Sequence, residues 1–292
     1  MCQPQFPKYN GLPASQTLQV PNMMSDSPYA FDAPDADVIL RAPLKRESTK
    51  LKDFRVHKAI LSVASTFFSD MFSIPQPPQH AKGDTTLPIV QVAESAEVFE
   101  IFLRLIYPIE PPVINSLQSV DNLFQLAEKY MASGVRAKLK QILLSPSFLN
   151  DDPILVYAIA CRTNLHGEAK LVIPHTFKID LVQDIPQSKF RMMTIDSYHR
   201  LLVEHSLRRG RLVNAVDEVY RSRAIQTCLC REKLKKEVRL QISGKPFLDG
   251  PTLEKCVASA LESKNSNKWG CPLSREEHST FITDIVRRIN EM

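Results

Sequence analysis

Glycine is scarce in this chain, with 8 in 292 residues. Few glycines leave few positions free to adopt positive φ and few loops able to wrap closely around a phosphate. The sequence holds no P-loop, no G-x-G-x-x-G, no G-x-S-x-G and no H-E-x-x-H, so those nucleotide-binding, hydrolase and zinc-peptidase signatures are excluded. Cysteine is sparse too, at 6 residues, which rules out a disulfide scaffold. No apolar run approaches the ~20 residues a membrane helix needs. The longest, Ile154 to Cys161, suits a buried helix. The first 30 residues show no basic stretch followed by an apolar one, the mark of a secretory leader. These absences predict a soluble intracellular protein, cytoplasmic or nuclear, with reduced cysteines and no cofactor.

What is plentiful is proline, at 21, and ordinary apolar residues, at 43%, enough for a sizeable core. The net charge of +5 is unevenly spread. Residues 1–130 carry 11 Lys and Arg against 14 Asp and Glu, and residues 131–292 carry 26 against 18. The length fits two domains, or one domain with an extension. Residues 1–29 are rich in proline and poor in charge and periodicity, so they are expected to be a disordered tail.

Order is expected from about Tyr29. Val38-Ile39-Leu40 suits a short strand buried on both faces. Phe54 and Val56 alternate with Arg55 and His57 in the period-2 pattern of a second strand, giving a hairpin with a polar tip. Ser65 is placed to cap a helix holding Phe67, Phe68, Met71 and Phe72. Leu87–Val92 reads as a third strand, at an edge because of Pro88. Phe99, Phe102, Leu103 and Ile106 give helical spacing after Ser95, ending before Pro108. Ser119 is expected to cap a helix lined by Val120, Leu123, Phe124, Ala127 and Met131. After Ser133-Gly134, Val135, Leu139, Ile142 and Leu143 line another, which Pro146 ends. Beyond 150 the pattern is helical: 153–164 after Asp151-Asp152-Pro153, then 167–173, 194–208, 211–223, 251–263 and 274–291. The last carries Phe281, Ile282, Ile285, Val286 and Ile289 on one repeat. The fold class is therefore α+β: a small sheet clad by helices, followed by a mostly helical region.

Residues 36–72 resemble a known signature. Ala36-Asp37-Val38, then Phe54-Arg55-Val56-His57-Lys58-Ala59-Ile60-Leu61, Ser65, Phe67-Phe68 and Met71-Phe72 look like the BTB/POZ domain. Leu103 to Tyr107 and Leu123 to Tyr130 are similar to its later helices. The resemblance spans about residues 30–147, leaving 148–292 as a helical C-terminal domain. The layout is also similar to an expanded group of fungal BTB proteins. The resemblance implies a non-catalytic interaction module that commonly homodimerises. It implies a charged pocket at the dimer interface formed by Asp37 and Lys58, a charge-balanced pair where either charge alone would be costly to bury. It makes His57, Leu61, Phe68, Met71 and Phe72 structural. Many members also present a substrate to a cullin ubiquitin ligase through a hydrophobic-X-Glu motif after the Met-Phe helix. Here Ser73-Ile74-Pro75-Gln76-Pro77-Pro78-Gln79 holds no Glu, which argues against that use.

The residues offer two other chemistries. Cys228, Cys230, Cys256 and Cys271, with His205 or His278, could be read as a zinc set, but the spacing lacks a C-x2-C pair, and small buried thiols explain it better. Residues 187–240 hold 13 Lys and Arg against 6 Asp and Glu, a basic surface that could meet nucleic acid. No helix-turn-helix or zinc-finger pattern accompanies it. The expected function is protein–protein interaction through self-association or partner binding, with cullin-adaptor and nucleic-acid-associated roles as the alternatives.

Overall fold

The computed structural model describes residues 31–45, 48–75, 87–222, 229–247, 251–252, 254–256, 280 and 283–288. The expected tail at 1–29 lies outside them. A three-stranded sheet runs in the order β2-β1-β3, with β1 (Val38–Pro43) in the centre, β2 (Leu51–Val56) antiparallel to it and β3 (Ile89–Gln91) parallel. Parallel pairing needs a crossover, and α1 (Lys58–Ala64) and α2 (Thr66–Ser73) precede it.

The central strand is not buried on both faces. Val38, Leu40 and Ala42 are fully buried, whereas Ile39 and Arg41 are half-buried. Among the described residues helices cover one side only, so the strand alternates as a half-exposed strand does. Phe54 and Val56 of β2 stand opposite Leu40 and Val38 and share the core face. On the other face Arg41 stands opposite Asp53 and donates to both its oxygens, at 2.6 and 2.8 Å.

The Ser65 cap holds. Its hydroxyl accepts from Phe68 N–H at 3.2 Å and donates to the Tyr130 carbonyl at 2.5 Å. One buried side chain thus starts α2 and ties it to a chain 65 residues away. Ser65→Ala should destabilise by about 1–2 kcal/mol, read as a lower urea midpoint. A midpoint within error of wild type would remove that role.

α3 (Ala96–Ile106) buries Phe99, Phe102, Leu103 and Leu105. α4 (Leu117–Lys129) follows Ser116 rather than Ser119, three residues before the expected cap site, so Ser119 sits inside the first turn. Its expected face is buried except Met131. The helix ends at Lys129, and Met131 adopts φ 48° and is exposed. α5 (Ser133–Leu143) includes Ser133 and Gly134 in its first turn. Pro146 does not merely end it: it opens α6 (Pro146–Asp151), where the missing N–H costs nothing.

α7 (Pro153–Arg162) begins as expected, with Asp152 Oδ1 accepting from Leu155 N–H at 3.1 Å. It is buried almost all round, as its apolar sequence requires. α8 (His166–Thr176) and the short α9 (Gln187–Phe190) follow. α10 (Ile195–Ser222) is one 28-residue helix, not two pieces divided near 209–210. A single glycine costs only about 1 kcal/mol in a helix, which packing on either side of Gly210 outweighs. α11 (Leu229–Gly244) folds back on it. Residues 283–288 are helical with Ile285 buried, while Phe281, Ile282 and Ile289 lie outside the described residues.

One apolar cluster runs without a break from Phe31 to Leu201 and takes in the sheet and α1 to α10. The sheet and the early helices therefore share their core with α6, α7 and α8.

Candidate interaction face

The expected site residues converge at the start of α1. Asp37, just before β1, turns its carboxylate to the helix, and Oδ1 accepts the Lys58 N–H at 2.8 Å. An acid at a helix N-terminus satisfies an otherwise orphan donor and meets the positive end of the helix dipole. The Lys58 side chain goes elsewhere: its ammonium lies 5.8 Å from the centre of the Phe72 ring. Asp37 and Lys58 thus meet within one chain through backbone and carboxylate. Among the described residues no carboxylate pairs with the Lys58 ammonium.

His57 sits between two partners. Its backbone N–H donates to the Tyr107 hydroxyl at 2.8 Å, and Nδ1 lies 3.2 Å from the same oxygen. Nε2 lies 3.3 Å from Asp35 Oδ1. Tyr107 is buried and packs edge-on against Phe31. His57 therefore pins the strand-to-helix turn to the end of α3. Neither Tyr107 nor Asp35 stands out in the sequence as its partner. The Tyr-Pro at 107–108 was the available signal, but it fixed only the helix end.

Leu61 and Phe68 are fully buried, and Met71 and Phe72 are half-buried. Phe68 stacks on Tyr130, with ring centres 5.1 Å apart and planes 8° from parallel. Phe67, Phe99 and Phe102 surround the same Tyr130 ring. The Tyr130 hydroxyl donates to Glu94 Oε2 at 2.7 Å, and Lys129 pairs with Oε1. Burial works to raise the Glu94 pKa, but these two hydrogen bonds outweigh it and hold the carboxyl below its usual range.

The outward side of α1 and α2 carries apolar side chains among the exposed Thr66, Asp70 and Ser73. Val63 is 91% exposed, Ile74 59% and Phe67 36%, and Ala59 joins them. The seven residues of α1 hold Ile60, Leu61, Val63 and Ala64, more apolar side chains than one narrow face can bury. That surplus was visible in the sequence.

The other expected chemistries fare differently. His205 is buried, and its Nε2 bonds Thr176 Oγ1 at 2.8 Å. That hydroxyl donates to the Ile173 carbonyl, so the ring nitrogen is the donor. Burial first, and then the Arg209 cation, push the His205 pKa down to about 4, with Asp180 opposing. A histidine depressed in the folded state adds stability while neutral. The contribution is complete above the unfolded value of 6.5 and is lost as pH falls from 6.5 towards 4. Acidification should cost about 2 kcal/mol through this residue, and His205→Gln should flatten the stability curve over that range. A curve unchanged by the substitution would exclude the assignment. Cys228, Cys271 and His278 lie outside the described residues, and Cys256 is buried. Among the described residues no His, Cys, Asp and Glu group has the geometry to hold a metal, and no helix is long and apolar enough to cross a membrane.

Part of the basic surface is internally paired. Asp217 takes Lys235 at 3.2 Å and Arg239 at 2.8 Å, and Glu218 takes Arg288 at 2.9 Å. Burial tends to raise the Asp217 pKa, but its two cationic partners hold it below the ordinary value.

Comparison with known proteins gives a family match. Residues 43–147 match the family model of the BTB/POZ domain. Residues 43–147, from the end of β1 into the start of α6, therefore carry a BTB/POZ domain, a protein-interaction module, joined to a mostly helical C-terminal region. No curated protein matches the chain.

Proposed function

We propose that the BTB/POZ domain at residues 43–147 serves self-association, with the outer side of α1 and α2 as the contact between copies. The observation that carries this reading is Val63, an aliphatic side chain left 91% exposed, with Phe67 and Ile74 exposed as well. Contiguous exposed apolar surface rimmed by charge marks an association site. Lys58 and Asp37 supply the rim. Across a two-fold contact the Lys58 ammonium of one copy meets Asp37 of the other, while Asp37 keeps its bond to its own Lys58 N–H. The helical C-terminal region then supplies a second surface for partners.

Two substitutions test this. Val63→Glu places a charge in the contact and should raise the dissociation constant at least tenfold by sedimentation equilibrium. Asp37→Asn keeps an oxygen for the Lys58 N–H but removes the charge, and should weaken association with the fold intact. Unchanged self-association in both variants would remove the face from consideration. The cullin-adaptor reading has less behind it, since residues 73–79 lack the acid that such adaptors carry. Co-purification with a cullin would restore it. The nucleic-acid reading loses weight from the pairing around Asp217 and Glu218, and a salt-sensitive shift of random DNA or RNA would revive it.

A further inference from the structure

α10 serves two cores. Its first turns, through Leu201, belong to the main apolar cluster. Leu212, Ala215 and Val216 further along are buried with no share in that cluster, as are Val238 and Ile242 of α11, Cys256 and Ile285. Arg209 Nε donates to the Ile242 carbonyl at 3.3 Å, and Asp217 bridges to Lys235 and Arg239. The second half of α10 and α11 are thus stitched to each other.

Among the described residues, polar and cation–aromatic contacts join this helical pair to the body. His205 bonds Thr176 at the junction between the two cores, and its ring stands edge-on to Phe177 at 5.2 Å. Arg208 lies over the Phe177 ring at 5.8 Å, and among the described residues its Nε has no hydrogen-bond partner. At the far end of α11, Lys245 pairs with Asp184 at 2.7 Å, and Lys178 lies 4.9 Å from the Phe247 ring centre. The Lys245 and Asp184 side chains are 50% and 42% exposed, so water and salt weaken their attraction. Pro246 is buried there and adds apolar packing. Segments held by few apolar contacts and many exposed polar ones open at the lowest free energy.

We propose that the second half of α10 and α11 form a strap that opens from the body as a unit about residues 205–210, with the turn at 177–184 as its electrostatic latch. Opening uncovers Phe177 and Phe247 while the BTB domain stays folded. Salt opens the latch by screening Lys245 from Asp184. Acid opens it by charging His205, which faces Arg209 and Arg208 on its own helix, Asp180 and the neutral Phe177 on the turn, and the neutral Thr176 at the end of α8.

Hydrogen exchange on the full chain tests this. Raising the salt at neutral pH should speed exchange of residues 176–184 and 238–247 together, by about two- to fivefold, and leave β1, β2 and α7 unchanged. Lys245→Glu should give the same effect at low salt, and adding Asp184→Lys should reverse it. Acidification towards pH 4 should open the same segments, after correction for intrinsic rates, and His205→Gln should abolish that response while keeping a donor for Thr176. Exchange of 238–247 in step with α7 under every condition would overturn the proposal. So would a Lys245→Glu variant indistinguishable from wild type.

Discussion

Replacing Arg162 by leucine is expected to destabilise the protein by about 2–4 kcal/mol, among the largest effects open to a single substitution here. Asp121 on α4 is 2% exposed, and its carboxylate is paired with Arg162 on α7. Gln125 adds only a long hydrogen bond, at 3.4 Å. Without Arg162 the carboxylate must stay buried without its counter-ion or take up a proton, and either is costly. Arg162 is itself 40% exposed, which places the effect below that of a fully buried pair. The pair links the BTB domain to the helical region, so the loss should appear as one cooperative transition at a lower urea midpoint. Asp121→Leu combined with Arg162→Leu should recover most of the loss, because two apolar groups leave no stranded charge. A double variant as weak as the sum of the two single ones would refute the pairing argument.

Tyr130→Ala is expected to cost about 3–5 kcal/mol. The ring is the hub of an aromatic cluster that joins α2, through Phe67 and Phe68, to α3, through Phe99 and Phe102. Its removal leaves a cavity and takes a hydrogen bond from the partly buried Glu94. Tyr130→Phe separates the two contributions. It keeps the ring and should cost only about 1–2 kcal/mol. Equal losses in the two variants, measured by urea unfolding, would place the stabilisation in the hydroxyl rather than in the packing.

Elements with a strong period were legible in the sequence. The β1–β2 hairpin, the Ser65 cap, the buried face of α3 and the Asp152 start of α7 all follow from short-range patterns. Boundaries set by longer contacts were not. Ser119 is as good a cap residue as Ser116, and only the packing of Leu117 into the core moves the helix start. Gly210 looks like a break, yet α10 runs through it because it has cores on both sides of that point. At the candidate face, the resemblance implies that Asp37 and Lys58 face each other at a dimer interface, and neither it nor the sequence says that within one chain the carboxylate takes the Lys58 N–H while the ammonium turns to Phe72. Val63 was missed for a related reason: an apolar residue on an amphipathic helix reads as core until its neighbours are known.

Self-association through the BTB domain is tested most directly by the mass of the full chain in solution. Light scattering at tens of micromolar should give about twice the 33.1 kDa of one chain, falling to the single-chain mass for Val63→Glu with unchanged far-UV circular dichroism. A wild-type protein that stays at 33.1 kDa across that range would contradict the account.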